Sequence, residues 1–241
     1  MLPVTLRLPV TMLAQPDGTT CGPTCLHAIY RYWGERESLR RIIARARRLE
    51  HGGTYAVFLA CDALRKGFDA TIYTYNLTVF DPTWFRPGVD IADRLRRQRD
   101  RKHDPVLGRA TEGYLEFLAL GGRLRLADLT RGLVRGVLRR RLPILTGLSS
   151  TFLYRSAREY GPNDTPDDVR GNPAGHFVVL AGYDRRARSV LVVDPYGPHP
   201  YGSSRRYWIN IDRVLGAVLL GIVTHDANLL VINPRGPLRR R

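Results

Sequence analysis

The sequence predicts an α+β fold whose N-terminal half is mostly helical and whose C-terminal half is mostly strands. Three observations lead there. Apolar residues recur at helical spacing from Cys21 to Trp33, and further helical patterns follow over 36–50 and Tyr55–Lys66. From Pro143 onward the chain turns to short apolar runs separated by Gly, Pro, Asn and Asp. The two characters occupy different parts of the chain, which is how segregated layers look in sequence.

Taken in order, Val4, Leu6, Leu8 and Val10 alternate as in a strand, and Pro3 and Pro9 confine it to an edge. Gln15-Pro16-Asp17-Gly18 is a turn. A helix opens at Cys21, with Pro23 in its first turn, and stops at Gly34. Gly52-Gly53-Thr54 breaks the chain before the third helix, which ends at Gly67. Residues 70–75 are rich in strand formers. Asp90–Asp104, Gly113–Leu120 and Asp128–Arg141 read as helices. Strands are expected over 143–148, 176–183, 189–194, 207–211 and 229–233, with an apolar helix over Asp212–Gly221 and a loop over 155–174. The chain reads as a single domain. Residues 1–75 form a helical part, 76–135 a helical insertion and 140–235 the sheet part.

With 241 residues the chain is long enough to bury a full core. Its 44% hydrophobic and 25% charged residues exclude wholesale disorder. The longest apolar run, Val214–Val223, is too short to span a bilayer. The three cysteines, Cys21, Cys25 and Cys61, do not make a disulfide scaffold. With no secretory signal pattern at the N-terminus, a reduced, cytoplasmic protein is expected. Lysine and arginine total 38 against 22 acidic residues, a formal charge of +16, and all but Lys66 and Lys102 are arginine. This charge admits an acidic partner. There is no zinc-finger or P-loop motif and no aromatic-interleaved basic run, so no specific nucleic-acid motif is present. Cys21 and Cys25, near His27 and His51, lack a second ligand pair at zinc spacing, and no metal is expected.

The chemistry concentrates in Gln15-Pro16-Asp17-Gly18-Thr19-Thr20-Cys21-Gly22. A cysteine in the first turn of a helix meets unpaired N–H groups and the positive end of the helix dipole. Both favour thiolate, the nucleophilic form. Gly22 leaves room for a substrate. Across the turn, the amide of Gln15 can join the Cys21 N–H as a second donor to an oxyanion. His176, next to Gly175, opens an apolar strand after a flexible loop, where its ring is held firmly with one edge in a cleft. Asp194 ends the following strand. If the two strands form a hairpin through 184–188, Asp194 lies beside His176 and can fix its tautomer. Trp208, on the next strand, either shields that pair from water or is a core aromatic. The acidic residues Asp164, Asp167 and Asp168 of the 155–174 loop either meet a basic substrate or pair with surface arginines. His225-Asp226 is assigned no role.

Gln15, Cys21 and Gly22, followed by His-Phe-Val-Val at 176–179 and Asp-Pro at 194–195, resemble the papain-like cysteine peptidases. Within these they are most similar to the double-glycine leader peptidases of bacteriocin exporters and their stand-alone bacterial relatives. The resemblance covers residues 10–35 and 140–235. It implies the papain-like fold, with the site between the helical and sheet parts. Cys21 is then the nucleophile, His176 the general base, Asp194 its orienter and Gln15 the oxyanion donor, acting on a peptide or amide substrate without a cofactor. Three alternatives stay open: an acyltransferase or amidase on a non-protein amide, an inactive binding domain, and a polyanion-binding basic protein.

Overall fold

The computed structural model describes residues 4–49, 52–221 and 226–236. His51, His225 and the basic tail beyond Gly236 lie outside them. The strands are β1 (Thr5–Arg7), β2 (Phe68–Thr74), β3 (Arg123–Arg125), β4 (Ile144–Ser149), β5 (Glu159–Tyr160), β6 (Thr165–Pro166), β7 (Gly175–Asp184), β8 (Ser189–Val193), β9 (Arg206–Asn210) and β10 (Asn228–Pro234). The helices are α1 (Cys21–Trp33), α2 (Leu39–Arg45), α3 (Ala56–Arg65), α4 (Ile91–Lys102), α5 (Pro105–Ala119), α6 (Arg131–Arg139), α7 (Ser150–Tyr154) and α8 (Ile211–Leu220).

One sheet runs in the order β3-β2-β10-β4-β7-β8-β9, with β1 also paired to β7. It is antiparallel except where β3 lies parallel to β2. β4 and β7 are buried at successive positions, which takes helices on both faces. One layer packs α1 against α3, and the other packs α6 and α7 against α8. The α+β expectation holds, with a refinement. The sheet draws β1, β2 and β3 from the helical half, because β2 pairs along its whole length with the C-terminal β10.

Most elements sit where local pattern puts them. Gly34 takes the left-handed conformation, with φ 97°, that ends α1. Asp90 and Asp104 cap α4 and α5 through their side chains. In the 76–135 segment, α5 packs on α3, α4 packs on α5, and β3 extends the sheet. The helix expected over 36–50 is reduced to seven residues. The loop expected over 155–174 follows α7 directly and contains the β5–β6 hairpin. Short helices and two-residue strands carry too little periodicity to announce themselves. Among the described residues no helix is long and apolar enough to cross a membrane.

Candidate active site

The turn before α1 is tied together by Asp17. Its carboxylate accepts the N–H of Thr19 at 2.8 Å, and its carbonyl accepts the hydroxyl of Thr20 at 3.1 Å. The same carbonyl accepts Nε2 of Gln15 at 2.9 Å. The Gln15 N–H donates to the carbonyl of Pro195 at 3.0 Å, fastening this turn to the segment after β8. Cys21 is the first residue of α1, as its sequence position predicts.

His176 enters on the second residue of β7. Its Nε2 lies 2.8 Å from Oδ1 of Asp194. The remaining ring nitrogen, Nδ1, is free of that contact, and the nearby sulfur of Cys21 favours the protonated ring. Cys21 and His176 are 7% and 8% exposed, so only their edges meet solvent. Asp194 is 0% exposed and fully satisfied. Oδ1 also accepts the N–H of Tyr196 at 2.9 Å, and Oδ2 accepts the hydroxyls of Tyr154 at 2.7 Å and Tyr207 at 2.8 Å.

The electrostatics follow from this wiring. Burial alone would raise the pKa of Cys21. The hydrogen bond and charge of His176, with the N–H groups of Phe177 and Gly22, outweigh it and hold the thiol below its ordinary value. For His176, burial would favour the neutral ring. The carboxylate of Asp194 and the sulfur of Cys21 overcome that and push it up to about 10. Burial would likewise raise Asp194, but the His176 cation and the hydrogen bonds from His176, Tyr154 and Tyr196 hold it below the usual carboxylate range. All three shifts run toward the charged forms of the row: thiolate, imidazolium and carboxylate. Burial and the neighbouring Asp194 push the hydroxyls of Tyr154 and Tyr207 well up, so both stay protonated donors.

Cys25 is a different case. Burial, then the nearby Cys21 and Asp194, raise its pKa well above the ordinary value, and its thiol donates to the carbonyl of Phe177 at 3.2 Å. It packs behind Cys21 as an uncharged side chain. Burial pushes Cys61 up to about 11.

A cleft of about 590 Å³ opens beside this row, lined by His176, Gln15, Gly175, Tyr154, Tyr196 and His199. Glu159 and Asp164 form part of its wall, and among the described residues no arginine or lysine lines it. Of the loop acids, Asp167 is taken up by Arg170 and by the N–H groups of Val169 and Arg170.

Two expectations need correction. Gly22 does not make room for a substrate. It is buried, and a Cβ there would stand 2.7 Å from Thr54 Cγ2, before α3, and 3.2 Å from both Leu59 Cδ1 on α3 and Phe177 Cδ2 on β7. Trp208 does not shield the His176–Asp194 pair. Side chains alternate along β9, so Tyr207 faces Asp194 while Trp208 takes the opposite face under the guanidinium of Arg7, 5.3 Å from the ring centroid. Sequence reasoning missed Tyr154 and Tyr207. Period two pointed to one face of β9 but could not say which face met Asp194, and nothing local links Tyr154 to a residue forty positions away.

Neither a protein-family model nor a curated protein matches this sequence. Solved structures do resemble its fold. One, described as a C39-like peptidase from Bacillus anthracis, aligns with a TM-score of 0.52 at 13% identity, covering 97% of this chain and 99% of that one. Xylellain, a cysteine protease from Xylella fastidiosa, aligns with a TM-score of 0.50 at 16% identity, covering 98% of this chain and 88% of its own. The chain therefore has the papain-like fold that C39-like peptidases and xylellain share.

Proposed function

We propose that the protein is a cysteine peptidase that cleaves a peptide or amide bond through a thioester on Cys21. The observation that carries this reading is the unbroken row of Cys21, His176 and Asp194. In it, burial and hydrogen bonding favour a thiolate beside an imidazolium. The Cys21 sulfur attacks the substrate carbonyl. The N–H of Cys21, at the open end of α1, donates to the oxyanion. Gln15 supplies the second donor. One N–H of its amide is anchored on the Asp17 carbonyl, and an amide nitrogen carries a second. His176 gives its proton to the leaving amine, and the Cys21 thioester forms as the C–N bond breaks. His176 then takes a proton from water as that water attacks the thioester, and the C–S bond breaks to release the acid and restore the thiolate beside the imidazolium. Asp194 stays ionised throughout and holds the ring by Nε2.

The test is the pH dependence of iodoacetamide alkylation of the folded protein, with the label located by mass spectrometry, followed by a peptide-library cleavage screen. Cys21 should react well below the reference thiol pKa of about 8.5, His176→Ala should slow it at neutral pH, and Cys21→Ala should abolish cleavage. A Cys21 that reacts no faster than Cys25 and Cys61 would remove the basis for the reading.

A further inference from the structure

At the end of β7 remote from His176 lies a groove built of arginine. A cavity of about 440 Å³ is lined by Arg131 and Arg135 of α6 on one wall and by Arg185, Arg186 and Arg188 of the β7–β8 turn on the other. A second cavity of about 190 Å³ shares Arg135 and Arg185 and adds Arg139. The two form one trough. Arg185 follows His176 by nine residues along β7, which at strand rise is roughly 30 Å. That is several Debye lengths at physiological salt, so the trough does not belong to the catalytic cleft.

Some surface arginines find carboxylates. Arg45 meets Glu37 and Asp62, Arg47 meets Glu112, Arg65 meets Glu116 and Arg123 meets Asp69. Around the trough only Arg131 does, with Asp212. The other carboxylate there, Asp184, accepts the Thr5 hydroxyl and the Ala187 N–H and also feels the charge of Arg186. Among the described residues Arg135, Arg139, Arg185, Arg186 and Arg188 have no ion pair. Guanidinium groups gathered in a concavity repel one another unless an anion joins them.

The floor of the trough gives a second, independent observation. Gly132 and Gly136 line it, one turn apart on α6. A Cβ on Gly136 would meet nothing within 4 Å, and one on Gly132 only Thr130 Oγ1, 3.4 Å away. Glycine weakens a helix interior, and packing does not require it at either position. Its effect is to leave the trough open between two rows of arginine.

We infer that this trough binds the phosphodiester backbone of a single-stranded nucleic acid, independently of sequence. Arg135 and Arg139 stand four residues, about 6 Å, apart along α6, so a strand laid along the helix meets two guanidinium groups that no carboxylate holds. Guanidinium forks match phosphate oxygens two at a time. Among the described residues no exposed aromatic lines the trough to stack a base, so the backbone alone is read. A bilayer surface cannot follow into a concavity, and among the described residues the apolar lining is Val4 and the buried Ile211.

The experiment is fluorescence anisotropy of a labelled twelve-residue oligo(dT) against the full chain, titrated in sodium chloride. Arg139→Glu/Arg185→Glu places one exposed reversal on each wall. It should weaken binding roughly ten- to a hundredfold and lower the salt slope by about 1.4, the value for two phosphate contacts on a single strand. Arg96→Glu/Arg101→Glu on α4 makes the same change in net charge and should leave affinity within a small factor. Gly136→Leu changes no charge and should lower affinity several-fold at an undiminished melting temperature. Equal losses in the two charge-reversed proteins, or full binding by Gly136→Leu, would overturn the inference. So would tighter binding to phosphatidylglycerol vesicles or poly-glutamate than to oligo(dT).

Discussion

The hydroxyl of Tyr207 lies 2.8 Å from Oδ2 of Asp194, the carboxylate oxygen that His176 does not use. Tyr154 reaches the same oxygen from α7. With Oδ2 held by two hydroxyls and Oδ1 shared by His176 and the Tyr196 N–H, the buried carboxylate is locked in both rotation and charge. Removing one donor leaves part of a buried anion unsatisfied, which costs on the order of 1.5–3 kcal/mol. Tyr154→Phe and Tyr207→Phe should each raise the pKa of Asp194. The acid limb of the kcat/KM or alkylation profile then moves to higher pH, with the fold retained by circular dichroism. Unchanged pH profiles would reduce both tyrosines to packing.

Gln15 separates catalysis from nucleophile activation. If its amide holds the oxyanion, Gln15→Ala should lower kcat by about 10²–10³ while leaving Cys21 alkylation unaffected, because alkylation forms no oxyanion. A parallel fall in both rates would mean that Gln15 only fixes the turn before α1.

Gly22→Ala tests the packing of α1 on α3. A methyl group 2.7 Å from Thr54 and 3.2 Å from Leu59 overpacks this contact, at a cost of about 1–3 kcal/mol. The expected result is a lowered denaturation midpoint. If stability is unchanged but KM rises, Gly22 faces substrate after all.

Asp226 gives a stability signature away from the site. It is fully buried, accepts the N–H of Ala56 at the start of α3 and the amide of Asn228, and burial raises its pKa to about 7. The unfolded chain releases this proton near pH 3.9 and the folded chain near 7. Between those values the folded state binds more protons, so its contribution to stability falls as pH rises. The melting temperature of the wild type relative to Asp226→Asn should therefore decline from pH 4 to pH 7 and level off above. A difference that is flat across that range would place the carboxylate in a solvated setting.

What the sequence by itself determined was local. A cysteine at a helix start, a glycine stop at Gly34 and two apolar runs joined by a short turn follow from backbone and side-chain properties of neighbouring residues. Through the hairpin they bring His176 to Asp194, because a β-hairpin sets the start of one strand beside the end of the next. The extent of β7 and β8 and the start of α4 at Asp90 were legible in the same way, whereas α5, expected only from Gly113, starts at Pro105. Tertiary structure decided what depends on register and on distant partners. Whether Tyr207 or Trp208 faces Asp194 turns on a one-residue shift that reverses every side chain of a strand. That Gly22 serves packing depends on Thr54 and Leu59, and that β2 lies in the sheet depends on β10, some 160 residues later. No local pattern encodes these, since each exists only once separate segments have packed together.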